Sequence, residues 1–364
     1  MTHQRQDIID LSSGQVVEPL PPAIRARLMQ ALDAQSQTTA YAPAPGDPDL
    51  RSAVAGHYRS RSAREADPEE ITVTAGVRHG LFVALATVAA GGEVLMPRPH
   101  WSHYPAVIER AGAKAVAVPG DPARGLLVGA EDLEAARTAE TRAVLVNSPV
   151  NPTGSCHDAR GLREIRDWAH ERGITVITDD VYYAYADDVD TALRTHEEEI
   201  VVGGASKVFA LAGLRVGWIW ASPGLCGALR AGVEYTTGPV NTLAQIAAAT
   251  ALGDPAPVAQ RAETLARQRQ TAVRALTGIP GLTPLEPHGG IYLCLDAAEA
   301  LAHRPMGADD DVALCRVLAE HAGVRLRAGS TFGLPGHLRL CVAVPEQTLH
   351  EAARRLAGFL AAGR

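Results

Sequence analysis

The strongest constraint on this chain is an alternation. Through its middle, short apolar runs of strand character trade places with longer runs of helical period. Glu70–Thr74 reads as a strand, followed by Gly76 and a helical pattern from His79 to Ala89. Glu93–Met96, Ala113–Val118, Arg142–Val146, Gly173–Thr178 and Glu199–Val202 read as further strands. Helical segments lie between them, including one through Tyr104–Ala111 and one at Ala159–Arg172. Strands apolar along their whole length, separated by helices, predict a mostly parallel sheet covered on both faces. After about Ala231 the texture changes to Ala-rich helices at Thr242–Leu252 and Val258–Leu276. A tail follows with strands at Gly290–Leu295 and Leu338–Val342 and helices at Asp311–His321 and Glu346–Ala361. The expected organisation is a large α/β domain over residues 40–280. A small α+β domain would be assembled from residues 1–39 and 281–364. With 364 residues, a prior of roughly 150 residues per domain agrees with two units.

Composition removes several function classes. The formal net charge is −7, so there is no basic excess of the kind that nucleic-acid binding over a broad face requires. The longest uncharged stretch, Tyr235–Gly253, contains Gly, Pro, Asn, Thr and Gln and does not read as a membrane span. Residues 1–7 hold no apolar core of a secretory signal. The five cysteines are scattered, without C-x-x-C spacing, which suits free thiols in a reducing cytoplasm and predicts no metal site. Aromatic residues make up only 4%, so the cores must be built from Ala, Val, Leu and Ile.

In open α/β sheets the ligand sits beyond the carboxyl ends of the strands. No G-x-G-x-x-G and no G-x-x-x-x-G-K-[ST] occurs, so neither dinucleotide nor Walker-type phosphate binding has a motif here. Other strand ends do carry polar groups. They are Thr74-Ala-Gly-Val-Arg78, Asn147-Ser-Pro-Val-Asn-Pro-Thr-Gly154, Asp179-Asp-Val-Tyr182 and Ser206-Lys207, with Gly213-Leu-Arg-Val-Gly217 beyond the last. Asn151, Asp179 and Lys207 are evenly spaced, as expected if successive strands deliver one group each to a shared crevice. An Asn, an Asp, a Tyr, a Lys and an Arg in one crevice suit pyridoxal 5'-phosphate. That ring needs an acid beside its pyridine nitrogen, donors beside its phenolic oxygen, a lysine for its aldehyde and cations for its phosphate.

With these residues in order, the chain resembles the class I/II aminotransferases, the fold type I pyridoxal-phosphate enzymes. The resemblance runs from about Leu11 to Leu360. It rests on Tyr41–Arg51, Asn147–Gly154, Asp179–Tyr182, Ala205–Gly217 and Gly336–Leu340. Gly76-Val-Arg-His79 and Trp101-Ser-His-Tyr-Pro105 are most similar to the bacterial aspartate aminotransferase branch.

The resemblance implies a role for each matching position. Lys207 would bind the cofactor aldehyde and shuttle a proton, which requires a lowered amine pKa. Asp179 would face the pyridine nitrogen, with Asp180 as a supporting acid where relatives usually have Glu. Asn151 and Tyr182 would donate to the phenolic oxygen. The amides of Val77 and Arg78 after Gly76, at a helix N-terminus, would hold the phosphate together with Ser206 and Arg215. Trp101 would stack on the ring, Arg339 would grip the substrate α-carboxylate, and Gly14 would lie on the substrate side. Tyr41 would reach the neighbouring subunit's phosphate, implying a homodimer. The position three before the lysine, often a hydroxyl residue, is Gly204, which puts one phosphate contact in doubt.

Substrate selectivity is less determined. Arg78 replaces a lysine that reads acidic side chains in the similar branch; it is either such a reader or an exposed first-turn arginine. His100 and His103 read first as loop hydrogen-bonders and second as substrate contacts. A helix usually precedes the segment Leu11-Ser-Ser-Gly14, and here ten residues do; Gly-Glu-Pro is replaced by Gly14-Gln-Val16. Both changes lead us to expect a more open or altered substrate side. The activity implied is amino transfer between an α-amino acid and a 2-oxo acid. A lyase or synthase using the same cofactor site is the alternative. A regulator built on the same module would need a fused DNA-binding domain, for which no room is expected before Leu11.

Overall fold

The structure, a computed structural model, describes residues 7–34, 38–59, 61–62, 64–187 and 196–362. The chain opens with β1 (Ile9–Asp10), α1 (Pro22–Asp33) and α2 (Pro48–Arg59). Next come β2 (Ile71–Thr74), α3 (Val77–Val88), β3 (Glu93–Arg98), α4 (Tyr104–Arg110), β4 (Lys114–Pro119) and α5 (Ala130–Ala136). These are followed by β5 (Thr141–Asn147), α6 (Ala159–Glu171), β6 (Thr175–Asp179), β7 (Ile200–Gly204) and β8 (Gly217–Trp220). Helices α7 (Pro223–Thr236), α8 (Thr242–Leu252) and α9 (Ala256–Leu276) lead into β9 (Thr283–Pro284) and β10 (Tyr292–Asp296). The chain closes with α10 (Ala298–Ala302), α11 (Asp311–Val317), β11 (Val324–Arg325), β12 (Arg327–Ala328), β13 (His337–Cys341) and α12 (Glu346–Ala362).

Strands β2 to β8 form one seven-stranded sheet in the order β2-β8-β7-β6-β5-β3-β4. Every pairing is parallel except the two made by β8. Strand β8 was not expected from the sequence. It follows β7 through the connection 205–216, which carries Lys207 and Arg215, and runs antiparallel to both of its neighbours, β7 and β2. Strands β2 and β7 are buried at every residue, as covered strands must be. The register pairs Asn147 with Asp179, so the ends of β5 and β6 are level and their polar residues emerge side by side.

The helices follow local rules. Asp158 caps α6 by accepting from the Gly161 amide at 2.7 Å, and Ile165, Trp168 and Ala169 face inward. In α12 the buried set Leu349, Ala352, Ala353, Leu356 and Leu360 keeps one helical face. The helix expected over Asp311–His321 ends at Val317, and residues 318–322 widen into a π turn before Gly323 at φ 65°. The Ser148–Pro149 and Arg98–Pro99 bonds are cis.

The largest core gathers both faces of the β2, β7 and β8 region, with Tyr58, Leu81, Trp218 and Trp220 within it. A smaller cluster of Val144, Val176, Ile165 and Trp168 lies where α6 packs on β5 and β6. A separate core joins Leu11, Leu276, Leu293, Leu340 and Leu356 around the sheet β12-β13-β10-β9. Helix α1 contributes Ile24 to the largest core, where it packs on α8.

Candidate active site

One pocket of about 360 Å³ opens at the carboxyl ends of the parallel strands. Its walls include Gly14, Val77, Arg78, Trp101, Asn151, Asp179, Tyr182, Ser206, Lys207, Arg215 and Arg339. Residues separated by up to several hundred positions therefore meet as the strand-end argument required. Gly76 lies just outside this wall, at φ 83°, where a Cβ would stand 2.5 Å from an Arg215 nitrogen. Tyr41 is elsewhere, 92% exposed on the loop before α2.

Asp179 ends β6 and is buried. Tyr104 Oη donates to its Oδ2 at 2.7 Å and the Val181 amide to its Oδ1 at 3.3 Å. Burial pushes its carboxyl up to about 6, against the pull of these two hydrogen bonds. Among the described residues no cationic side chain is ion-paired with it. The carboxylate thus has orienting donors but lacks a neutralising charge. Its neighbour Asp180 points away from the pocket into a buried bidentate pair with Arg61, at 2.8 and 3.0 Å. The Arg61 guanidinium lies 3.6 Å over the Tyr183 ring.

Lys207 follows β7, and its Nζ donates to the Gly14 carbonyl. Burial lowers its amine pKa, and Arg215 and Arg339 lower it further. Gly204, three residues earlier, has a packing reason: a Cβ there would meet Val77 Cγ2 at 2.7 Å and the Val216 carbonyl at 3.0 Å. Arg215 itself sits at φ 56°, a strained conformation for an arginine, and its Nη1 reaches Ser206 Oγ at 3.5 Å. Helix α3 begins beside it, so the first amides of α3, at Val77 and Arg78, have no partner within the helix.

Asn151 and Arg339 are linked: Arg339 Nη1 donates to Asn151 Oδ1 at 3.1 Å and Nη2 to the Ser12 carbonyl at 2.7 Å. The guanidinium lies between the rings of Tyr292 and Phe332, 4.2 and 4.6 Å from their centroids. Tyr182 Oη is 3.1 Å from Tyr292 Oη. Any side chain at Gly14 would collide with the Tyr292 hydroxyl. The guanidinium of Arg78 lies 5.1 Å over Trp101. His103 lines the pocket against Trp101, whereas His100 bonds the Trp101 carbonyl at 2.9 Å and stays outside. The expectation of an altered substrate side concerned residues 1–16. Of these, 1–6 lie outside the described residues, while Ser12 to Gly14 form part of the wall.

Sequence reasoning missed Tyr104, Asn147, Tyr292, Arg327 and Phe332, which also line the pocket. Asn147 was inside a quoted motif and could have been singled out as the last residue of its strand. Its Nδ2 donates to the Asp179 carbonyl at 3.0 Å. Tyr292 and Arg327 carried no motif.

The donor set fits pyridoxal 5'-phosphate. A buried carboxylate lacks a cation, a buried lysine has a depressed pKa, and free helix amides lie beside an arginine. Asymmetry of this kind matches a ring with a basic nitrogen at one end, a phosphate at the other and an aldehyde between. Fold and pocket together define a fold type I pyridoxal-phosphate enzyme. Residues 6–356 match the family described as aminotransferase class I and II. The chain belongs to that family and is a pyridoxal-phosphate-dependent aminotransferase, acting between an amino acid and a 2-oxo acid. It is 34% identical to the aspartate aminotransferase of Streptomyces avermitilis, over 97% of this chain and 89% of that one. A probable aspartate/prephenate aminotransferase of Aquifex aeolicus is 33% identical over 96% and 90%. The aspartate aminotransferase structure from Rhizobium meliloti superposes with a TM-score of 0.91 at 28% identity, over 98% of this chain and 92% of that one. No helix among the described residues is long and apolar enough to cross a membrane.

Proposed function

We propose that the pocket carries out amino transfer with an acidic amino acid as donor, and that the residues above divide the work. The bound cofactor supplies an aldehyde for the amine and a ring that accepts the electron pair released at the substrate Cα. Asp179, oriented by Tyr104, keeps the ring nitrogen protonated. Lys207 holds the aldehyde and then moves the proton from Cα, a task that its lowered amine pKa supports. Asn151 and Tyr182 donate to the phenolic oxygen, and Trp101 covers the ring. Val77 and Arg78 amides, Ser206 and Arg215 hold the phosphate. Arg339 takes the α-carboxylate through a planar fork already aimed by Asn151 and Ser12. Movement of the β12-β13-β10-β9 unit, in residues 281–364, would close the site through that contact.

The observation that carries this reading is the buried Asp179, without a cation, opposite the depressed Lys207 in one pocket. Acidic donors are supported by the names of the two relatives above and by Arg78. A homodimer, with Tyr41 reaching the neighbouring site, is supported by the exposure of that ring. A cytoplasmic location is supported by five free cysteines.

The test is spectral. Purified yellow enzyme is mixed with single amino acids, and the cofactor band is followed while the keto acid is assayed. Loss of the band with release of one keto acid per site supports the reading. Ammonia release without conversion of the cofactor to its amine form would overturn it.

A further inference from the structure

Arg327 stands directly across the β12–β13 ladder from Arg339. Residues so placed share one face of a sheet with Cβ atoms about 4.5–5.5 Å apart, and like charges there are destabilising. Arg339 is accounted for by its bonds to Asn151 and Ser12. Arg327 is not: among the described residues its side chain has no hydrogen bond or ion pair. It nevertheless lines the same pocket, at the exposed end.

A second arginine reaches the pocket from the other wall. Arg78 is exposed at the start of α3, and its guanidinium lies over the Trp101 ring with no side-chain hydrogen bond or ion pair among the described residues. Arg78 and Arg327 act on one spot: His103 has its pKa lowered by burial first, then by the charges of these two arginines. The pocket as a whole is lopsided. Lys207, Arg215, Arg339, Arg78 and Arg327 line it, and Asp179 is its single acid. A cofactor phosphate uses Arg215 and a substrate α-carboxylate uses Arg339. Two cations remain, both near the mouth.

We propose that Arg327, with Arg78 opposite, forms an anion subsite that selects substrates whose side chain ends in a carboxylate or phosphate. The planar forks suit either group, and the adjacency of Arg327 to Arg339 sets the second anion close to the first. Repulsion across the ladder is then relieved when substrate binds. This inference rests on the aminotransferase reading and assigns its side-chain selectivity to a particular residue.

The experiment uses holoenzyme of the parent chain, Arg327→Gln and Arg327→Lys. Single-turnover cofactor conversion is followed with aspartate, glutamate, O-phosphoserine, alanine and leucine. Expected is a parent preference for anionic over neutral side chains, cut at least tenfold in Arg327→Gln and largely kept in Arg327→Lys. The thermal midpoint of Arg327→Gln should not fall, because the substitution removes a repulsion. The anionic donor that loses most in Arg327→Gln identifies carboxylate or phosphate as the group read. An equal change for all five donors, or an unchanged preference, would overturn the assignment. A parent enzyme that converts acidic and neutral donors equally overturns this inference together with the acidic-donor proposal, and leaves amino transfer itself standing. A parent enzyme that converts none of them overturns the aminotransferase reading beneath it.

Discussion

Tyr104 Oη donates a 2.7 Å hydrogen bond to Asp179 Oδ2, tying the first turn of α4 to the last residue of β6. The two side chains are buried together, so this donor is what aims the carboxylate. Tyr104→Phe leaves the buried Oδ2 without that donor. A hydrogen bond to a charged group is worth about 1.5–3 kcal/mol, so thermal or urea unfolding should show a loss of that order. The Asp179 carboxyl should rise further above its present value of about 6. The pH profile of kcat should shift upward with it, which a packing defect alone would not cause.

Asp179 also makes stability depend on pH. Burial, the largest influence, raises its folded value to about 6 from 3.8. Between those values the folded state holds more protons than the unfolded state, so stability falls as pH rises. A shift of roughly 2 units corresponds to about 3 kcal/mol for a group this buried. Cofactor-free protein should therefore lose stability from pH 4 to 6 through this residue. Asp179→Asn should flatten that part of the curve in urea titrations. An unchanged slope in the variant would remove Asp179 as the cause.

Lys207→Ala removes the amine proposed to bind the aldehyde and carry the proton. Borohydride treatment should fix the chromophore to the parent chain and not to the variant. Turnover should drop about 10²–10⁴-fold for loss of the acid–base group alone. Partial rescue by added small amines would locate the loss at proton transfer.

Arg61 and Asp180 form a buried pair beside the site, with side chains 9% and 5% exposed. Removing one partner leaves a buried charge, at a cost of about 3–5 kcal/mol. Arg61→Ala should unfold at markedly lower urea. Arg61→Met with Asp180→Leu should recover most of that loss. If the double variant is as unstable as the single one, the pair contributes more than charge compensation.

Tyr41 is 92% exposed in the single chain. Light scattering should report a dimer at assay concentrations, and Tyr41→Phe should weaken cofactor retention without altering the dimer. A monomer with full activity would remove the shared-site reading.

That Asn151, Asp179, Lys207 and Arg215 would meet in one pocket was legible in the sequence for a physical reason. Asn151 and Lys207 follow strands, Asp179 is the last residue of one, and Arg215 lies in the connection after β7; parallel strands end at one edge. Local order along the chain therefore became spatial order. Tyr104 was readable as a helix residue, but nothing local showed that α4 would carry its hydroxyl to Asp179. Strand β8 begins at the last residue of the Gly213–Gly217 motif and carries on past it through Trp220. Gly204 looked like a lost hydroxyl, and only the packing of Val77 and Val216 against it gives its reason.

The chain by itself determined the parallel sheet, its buried strands and the cofactor-binding chemistry at their ends, because periodicity and strand-end residues are local properties. Tertiary structure alone decided how the second sheet faces that edge. It brought Ser12, Asn151 and Arg339 within hydrogen-bonding distance and set Arg327 beside Arg339 across a ladder. The two hydrogen bonds join segments 188 and 327 residues apart. Their geometry depends on how two separate cores pack, which no local pattern encodes.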